Sequence, residues 1–146
     1  EVIAYKFYNK NGDIIKEAKK QKGAFFYEGY AACGNITSEG SYNIEGGKNG
    51  EWKFYSDNHI LQSKEIYTKN MLDEEKTTFY QNGKIKSVVS FTLDTLQGYY
   101  SSFYNHEQLK QQGWYKDGEA VGFWISYYPD GTIEEKHYYS NDKQNG

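Results

Sequence analysis

The chain contains no arginine, one proline, one cysteine and one methionine in 146 residues, and isoleucine, leucine and valine together number only nineteen. Each scarcity excludes something. Without arginine there is no bidentate grip on phosphate or guanine. The seventeen lysines are balanced by twenty acidic residues for a net charge of −3, and they are interleaved with acids, as in Glu65, Lys69, Asp73, Glu74, Glu75 and Lys76. That is the opposite of a basic stripe, so no nucleic-acid partner is expected. A lone Cys33 cannot close an intrachain disulfide. No apolar run approaches the ~20 residues of a membrane-spanning helix. The aliphatic shortage leaves the core to other side chains, and these are plentiful: 27 aromatic residues, sixteen of them tyrosine, with fifteen glycines.

The aromatics and glycines recur. Tyr128-Pro129-Asp130-Gly131-Thr132-Ile133 has a sister in Tyr80-Gln81-Asn82-Gly83-Lys84-Ile85, and Tyr104 to Leu109 lies halfway between them. Tyr55 to Leu61, Tyr30 to Ile36 and Tyr8 to Ile14 extend the series upstream. With Ile14, Ile36, Leu61, Ile85, Leu109 and Ile133 as anchors, the steps are 22, 25, 24, 24 and 24 residues, the spacing of a repeat array. Six residues after five of these anchors comes an aromatic, at Tyr42, Tyr67, Phe91, Tyr115 and Tyr139, while Lys20 breaks the rule in the first unit. An even spacing keeps anchor and ring on one face of a strand.

Asn11-Gly12, Asn82-Gly83, Asp117-Gly118 and Asp130-Gly131, flanked by aromatic and β-branched residues, are hairpin signals because glycine accepts a positive φ. Local composition alone favours helix over Ile14 to Lys22 and over Leu61 to Lys76. The repeat register overrides it and predicts strands there. The expected fold is all-β: an elongated, single antiparallel β-sheet meander of ~24-residue hairpin units. The units fall at about 1–22, 23–46, 47–70, 71–94, 95–118 and 119–146. Gly40, Gly113 and Gly122 are expected to let the sheet bend or a large ring lie across the backbone.

The pattern Gly-x-x-x-Gly-x-Trp-x-x-Tyr-Tyr-x-x-Gly-x-Ile, fullest from Gly118 to Ile133, resembles the variant MORN repeat of bacterial proteins, and the resemblance extends over nearly the whole chain. Departures are local: Asn70 to Lys76 lacks both glycines, and His59 and Glu107 stand where turn glycines are expected. The resemblance implies protein–protein contacts, proximity to membrane lipid, or a platform beside another domain. It also implies, by analogy, an antitoxin-like inhibitor of a partner toxin.

Catalytic and metal chemistry find little support. His59, His106 and His137 lie 47 and 31 residues apart without ligand spacing, and in Glu134-Glu135-x-His137 only Glu135 and His137 share a strand face. Gly46-Gly47-Lys48-Asn49-Gly50 lacks the ending of a phosphate-binding loop. No serine or Cys33 has a nucleophile's surroundings. A noncatalytic scaffold with a protein partner is therefore expected, without metal or cofactor. The alternative is a carbohydrate or cell-envelope module that uses exposed aromatic rows. Candidate binding residues are Trp52, Tyr55, Tyr80, Tyr100, Tyr104, Trp114, Trp124 and Tyr128. The start at Glu1 and the stop inside a repeat suggest a processed piece of a longer, exported or periplasmic bacterial chain.

Overall fold

A computed structural model describes residues 4–19, 24–140 and 143–144. Lys20 and the end of the Ile14 to Lys22 stretch lie outside the described residues. Every regular element within them is a strand. The chain forms two compact units, Glu1–Met71 and Leu72–Gly146.

The first unit holds β1 (Ala4–Tyr8), β2 (Ile14–Lys19), β3 (Phe25–Tyr30), β4 (Ile36–Tyr42), β5 (Lys48–Tyr55) and β6 (Leu61–Thr68). β1 and β2 pair as a two-stranded sheet, and β3 to β6 pair each with the next. The second unit holds β7 (Met71–Phe79, beginning at the boundary), β8 (Ile85–Thr92), β9 (Thr95–Phe103), β10 (Leu109–Lys116), β11 (Glu119–Tyr127), β12 (Ile133–Ser140) and β13 (Lys143–Gln144). These again pair only with their sequence neighbours, all antiparallel. β1–β2 is a separate hairpin, β3 to β6 and the second unit are meanders, and the described parts of both stretches of helical composition are strands apart from the Lys69-Asn70 turn, because hydrogen-bonding to a neighbouring strand outweighs propensities worth a few tenths of a kcal/mol per residue.

The six anchors occupy one structural position. Ile14, Ile36, Leu61, Ile85, Leu109 and Ile133 each begin a strand and face the last residue of the preceding one: Tyr8, Tyr30, Tyr55, Phe79, Phe103 and Tyr127. The five residues between form the same loop each time. The first donates its amide to the carbonyl of the fifth, and the fourth donates back to the carbonyl of the first, as in Tyr80 N to Lys84 O (2.8 Å) and Gly83 N to Tyr80 O (3.0 Å). The fourth residue has positive φ throughout: Gly12, Gly34, His59, Gly83, Glu107 and Gly131. This register corrects the tyrosine alignment drawn from the sequence. Tyr8, Tyr30 and Tyr55 precede their anchors by six residues and close a strand, whereas Tyr80, Tyr104 and Tyr128 precede theirs by five and open a loop.

The β4–β5 connection, Asn43 to Gly47, repeats this loop, and three other connections are tighter. Lys69-Asn70, Leu93-Asp94 and Asp117-Gly118 are two-residue turns with both φ positive, which suits the twist of a hairpin. Of the four glycine pairs singled out above, Asp117-Gly118 alone makes such a turn, and the other three lie in five-residue loops. A third recurrent position with positive φ follows at Gly50, Glu74, Gly98 and Gly122, spaced by 24 residues near the start of β5, β7, β9 and β11.

Each unit has one large aromatic centre. In the first, Trp52 is 1% exposed and lies across Gly40, where a Cβ would come within 2.2 Å of the indole. Tyr42 meets it edge-on at 5.0 Å and Tyr27 lies at 5.8 Å, tilted by 31°. In the second, Trp124 lies across Gly113 with the same 2.2 Å constraint, Tyr115 meets it edge-on at 5.0 Å, and Tyr100 stacks at 5.3 Å. Glycine is required at both positions because the ring occupies the space of the side chain.

Candidate functional site

Neighbouring residues on a strand point to opposite faces. The second unit carries doublets of rings, Tyr99-Tyr100, Trp114-Tyr115, Phe123-Trp124 and Tyr138-Tyr139. One member of each joins the buried centre around Trp124. The other is sent to the opposite face. There Tyr99 is directly across from Trp114 and Phe123 from Tyr138. Their rings meet at 5.7 Å and 5.0 Å with interplanar angles near 65°. All four are exposed, Trp114 and Phe123 by 55% each.

A shallow depression lies among Tyr99, Gln112, Gly113, Trp114, Phe123 and Ile125. Gln112 orders its polar side. Its Oε1 accepts from the Tyr99 hydroxyl at 3.0 Å and its Nε2 donates to the Tyr127 hydroxyl at 2.7 Å. The Lys136 ammonium sits 4.3 Å from the centre of the Phe123 ring. The result is an apolar surface of tilted rings with one fixed amide. Exposed aromatic clusters of this kind mark interaction sites in proteins.

The first unit treats its corresponding face differently. Glu28 pairs across with Glu39, Glu39 with Lys53, and Lys53 with Lys64. Lys16 bridges Glu28 at 3.4 Å and Lys53 bridges Glu51 at 3.6 Å. The Tyr30 hydroxyl donates to Glu28 and the Tyr55 hydroxyl to Glu39 at 2.8 Å. Burial, followed by the hydrogen bond and charge of the adjacent carboxylate, pushes both phenols up to about 12. Burial likewise raises Tyr27 and Tyr42 beside Trp52.

The eight candidate residues separate into distinct groups. Trp52 and Trp124 are buried and form the two centres, and Tyr100 packs on Trp124. Tyr55 belongs to the polar face of the first unit. Tyr80 and Tyr104 are staples: their hydroxyls donate to the backbone carbonyls of Phe103 (2.7 Å) and Tyr127 (2.9 Å), each one repeat further on. Tyr128, the next in that series, is 48% exposed and lies in the last five-residue loop. Trp114 alone lies in the aromatic patch. Its companions Tyr99, Phe123 and Tyr138 were missed by sequence reasoning, although the doublets and strand alternation were sufficient to find them.

The remaining chemistry is structural. Among the described residues no group of three or more His, Cys, Asp or Glu side chains could hold a metal ion. His106 contacts the Pro129 carbonyl at 3.0 Å and His59 that of Ile36 at 3.3 Å, so His106 braces a neighbouring loop and His59 the start of β4. His137 and Glu135 do share a face, with Nε2 and Oε2 3.0 Å apart. Exposed Cys33 lies in a loop, with its thiol directed at the Asp57 carbonyl.

The family model described as MORN repeat variant matches residues 75–92 and 121–141. Both segments are strand, five-residue loop, strand: β7–β8 and β11–β12. These two hairpins match the variant MORN repeat. No curated protein matches it significantly. Within the MORN units Trp124 and the loop glycines Gly83 and Gly131 have direct structural reasons, while Trp114 and Tyr99 of the patch lie outside the matched segments. MORN repeats are in general noncatalytic binding or scaffold modules, and no helix among the described residues is long and apolar enough to cross a membrane.

Proposed function

We propose that this chain is a noncatalytic scaffold that binds a protein partner through the ring-bearing face of β9 to β12. The observation that carries the reading is the cluster of Tyr99, Trp114, Phe123 and Tyr138, four exposed rings that contact one another in pairs. Burying a Trp or Tyr of this kind contributes about 2 kcal/mol or more to an interface, and such residues dominate binding energetics. The tilt between the rings leaves a knobbed surface that suits side chains of a partner better than the flat face of a sugar ring. The buried rings Trp52 and Trp124 support the sheet beneath and contribute no contact surface.

Site-specific photo-crosslinking in the cell of origin tests this. A crosslinking amino acid at position 114 or 123 should give an adduct of one defined mass that position 51, on the first unit, does not give. Equal adducts from all three positions, or none from 114 and 123, would overturn the proposal.

A further inference from the structure

Several rings of this protein carry a lysine ammonium over their face. Lys48 sits 4.9 to 5.1 Å from the centres of Trp52, Phe54 and Tyr67, Lys110 lies 5.5 Å from Tyr104, Lys86 5.8 Å from Tyr80, and Lys136 4.3 Å from Phe123. Each pairing follows from the negative face of an aromatic ring, and tryptophan has the strongest such face. Trp114, like Trp124, is not among the rings so covered, and of the chain's three tryptophans it is the exposed one, standing against Tyr99. The unit that holds it is net acidic. Leu72–Gly146 contains eleven acidic residues and seven lysines, a formal −4, whereas Glu1–Met71 carries +1.

From the uncovered ring and the acidic unit around it, we infer that the Tyr99–Trp114 corner takes a cationic side chain from an extended basic segment of the partner, an arginine or lysine laid over Trp114. This rests on the protein-partner reading above and specifies its chemistry. The ring supplies cation–π attraction and the −4 unit supplies long-range steering. An arginine, absent from this chain, adds stacking of its planar guanidinium on the indole. Gln112, held between Tyr99 and Tyr127, fixes the Tyr99 ring that forms the other wall.

The test uses the full chain and two synthetic decapeptides, alternating Arg-Ala and alternating Glu-Ala, with chitotetraose as a third probe, all by calorimetric titration. The basic peptide should bind, should weaken as salt is raised, and should lose at least tenfold in affinity with Trp114→Ala or Trp114→Leu, while Trp114→Tyr retains most of it. Thermal melts of the three variants, at a side chain that is 55% exposed, verify that folding is kept. Binding retained by Trp114→Leu would reduce the contact to apolar burial and overturn the inference. Acidic-peptide binding of equal strength, or no peptide binding at all, would overturn it too. Crosslinks from position 114 to a protein, without preference for the basic peptide, leave the partner reading standing and remove this one. Chitotetraose binding that Trp114→Ala abolishes would remove both.

Discussion

The two units of this chain build the same interior and opposite exteriors. Around Trp52 and around Trp124 the same contacts recur: a glycine under the indole, a tyrosine edge-on at 5.0 Å, and a second tyrosine within 6 Å. On the reverse face the first unit shows Glu28, Glu39, Glu51 and Lys53, and the second shows Tyr99, Trp114, Phe123 and Tyr138. The column at positions 51, 75, 99 and 123 reads Glu, Glu, Tyr, Phe. The buried side of a repeat is held by packing against its own backbone, whereas the outer side is free to vary, charged in one unit and ring-bearing in the other.

Tryptophan truncations should separate the two roles most sharply. Trp52→Ala and Trp124→Ala each remove a buried indole and should cost about 3 to 5 kcal/mol in urea unfolding, while Trp114→Ala, at an exposed site, should cost less than about 1 kcal/mol. The Trp52 effect should be the larger, because its Nε1 donates to the Ser41 carbonyl at 3.0 Å and Trp124 Nε1 has no such partner. A Trp114→Ala loss as large as that of Trp124→Ala would show the outer face to be structural as well.

Filling the glycine under each indole comes next. Gly40→Ala and Gly113→Ala place a Cβ 2.2 Å from a tryptophan ring atom and should each destabilise by about 3 kcal/mol. In a double-mutant cycle, Gly113→Ala should cost much less once Trp124 is already alanine. Additive losses would mean that the backbone itself needs glycine there.

Smaller and opposite in sign are the left-handed positions of the five-residue loops. Glu107 at φ 71° and His59 at φ 61° take the conformation that glycine has in the equivalent loops. Glu107→Gly and His59→Gly should therefore raise the unfolding midpoint by the equivalent of about 1 kcal/mol, partly offset by the lost Lys84–Glu107 pair and the His59–Tyr55 stack. The same change at Tyr99, outside these loops, should give no such gain.

Alkaline titration distinguishes the outer faces by the smallest signal. Tyr30 and Tyr55 titrate near 12 when folded and near 10 in an unfolded chain, so the folded state holds their protons more tightly. Their contribution is fully present below pH 10 and is lost as pH rises through about 12. Urea midpoints should fall across that window in the wild type and fall less steeply in Tyr30→Phe and Tyr55→Phe. An unchanged slope in both variants would show that these two phenols do not carry the pH dependence of stability.

Much of the fold was legible because the repeat places equivalent residues in equivalent backbone positions. The anchors, the glycine replacements at His59 and Glu107, the strands over the helix-prone stretches, and the rings over Gly40 and Gly113 all follow from period and sterics. Face assignment was harder. Composition identifies rings but not which way they point, so a conspicuous Trp-Tyr column was read as one surface when it comprises core (Trp52, Trp124, Tyr100), staples (Tyr80, Tyr104) and patch (Trp114). A one-residue offset hid the rest: Tyr55 counts six to its anchor and Tyr80 five, which places them on different structural positions despite the shared side chain.

The hydroxyls of Tyr80 and Tyr104 each find their acceptor 23 residues downstream. A chain tied in this way can gain or lose length only in whole periods. Duplicating or excising 24 residues hands every phenol an identical carbonyl, whereas inserting a single residue in a strand would invert its faces and strand the bond. Lineages and protein engineers alike should find such a molecule permissive to copying and intolerant of small indels within its strands.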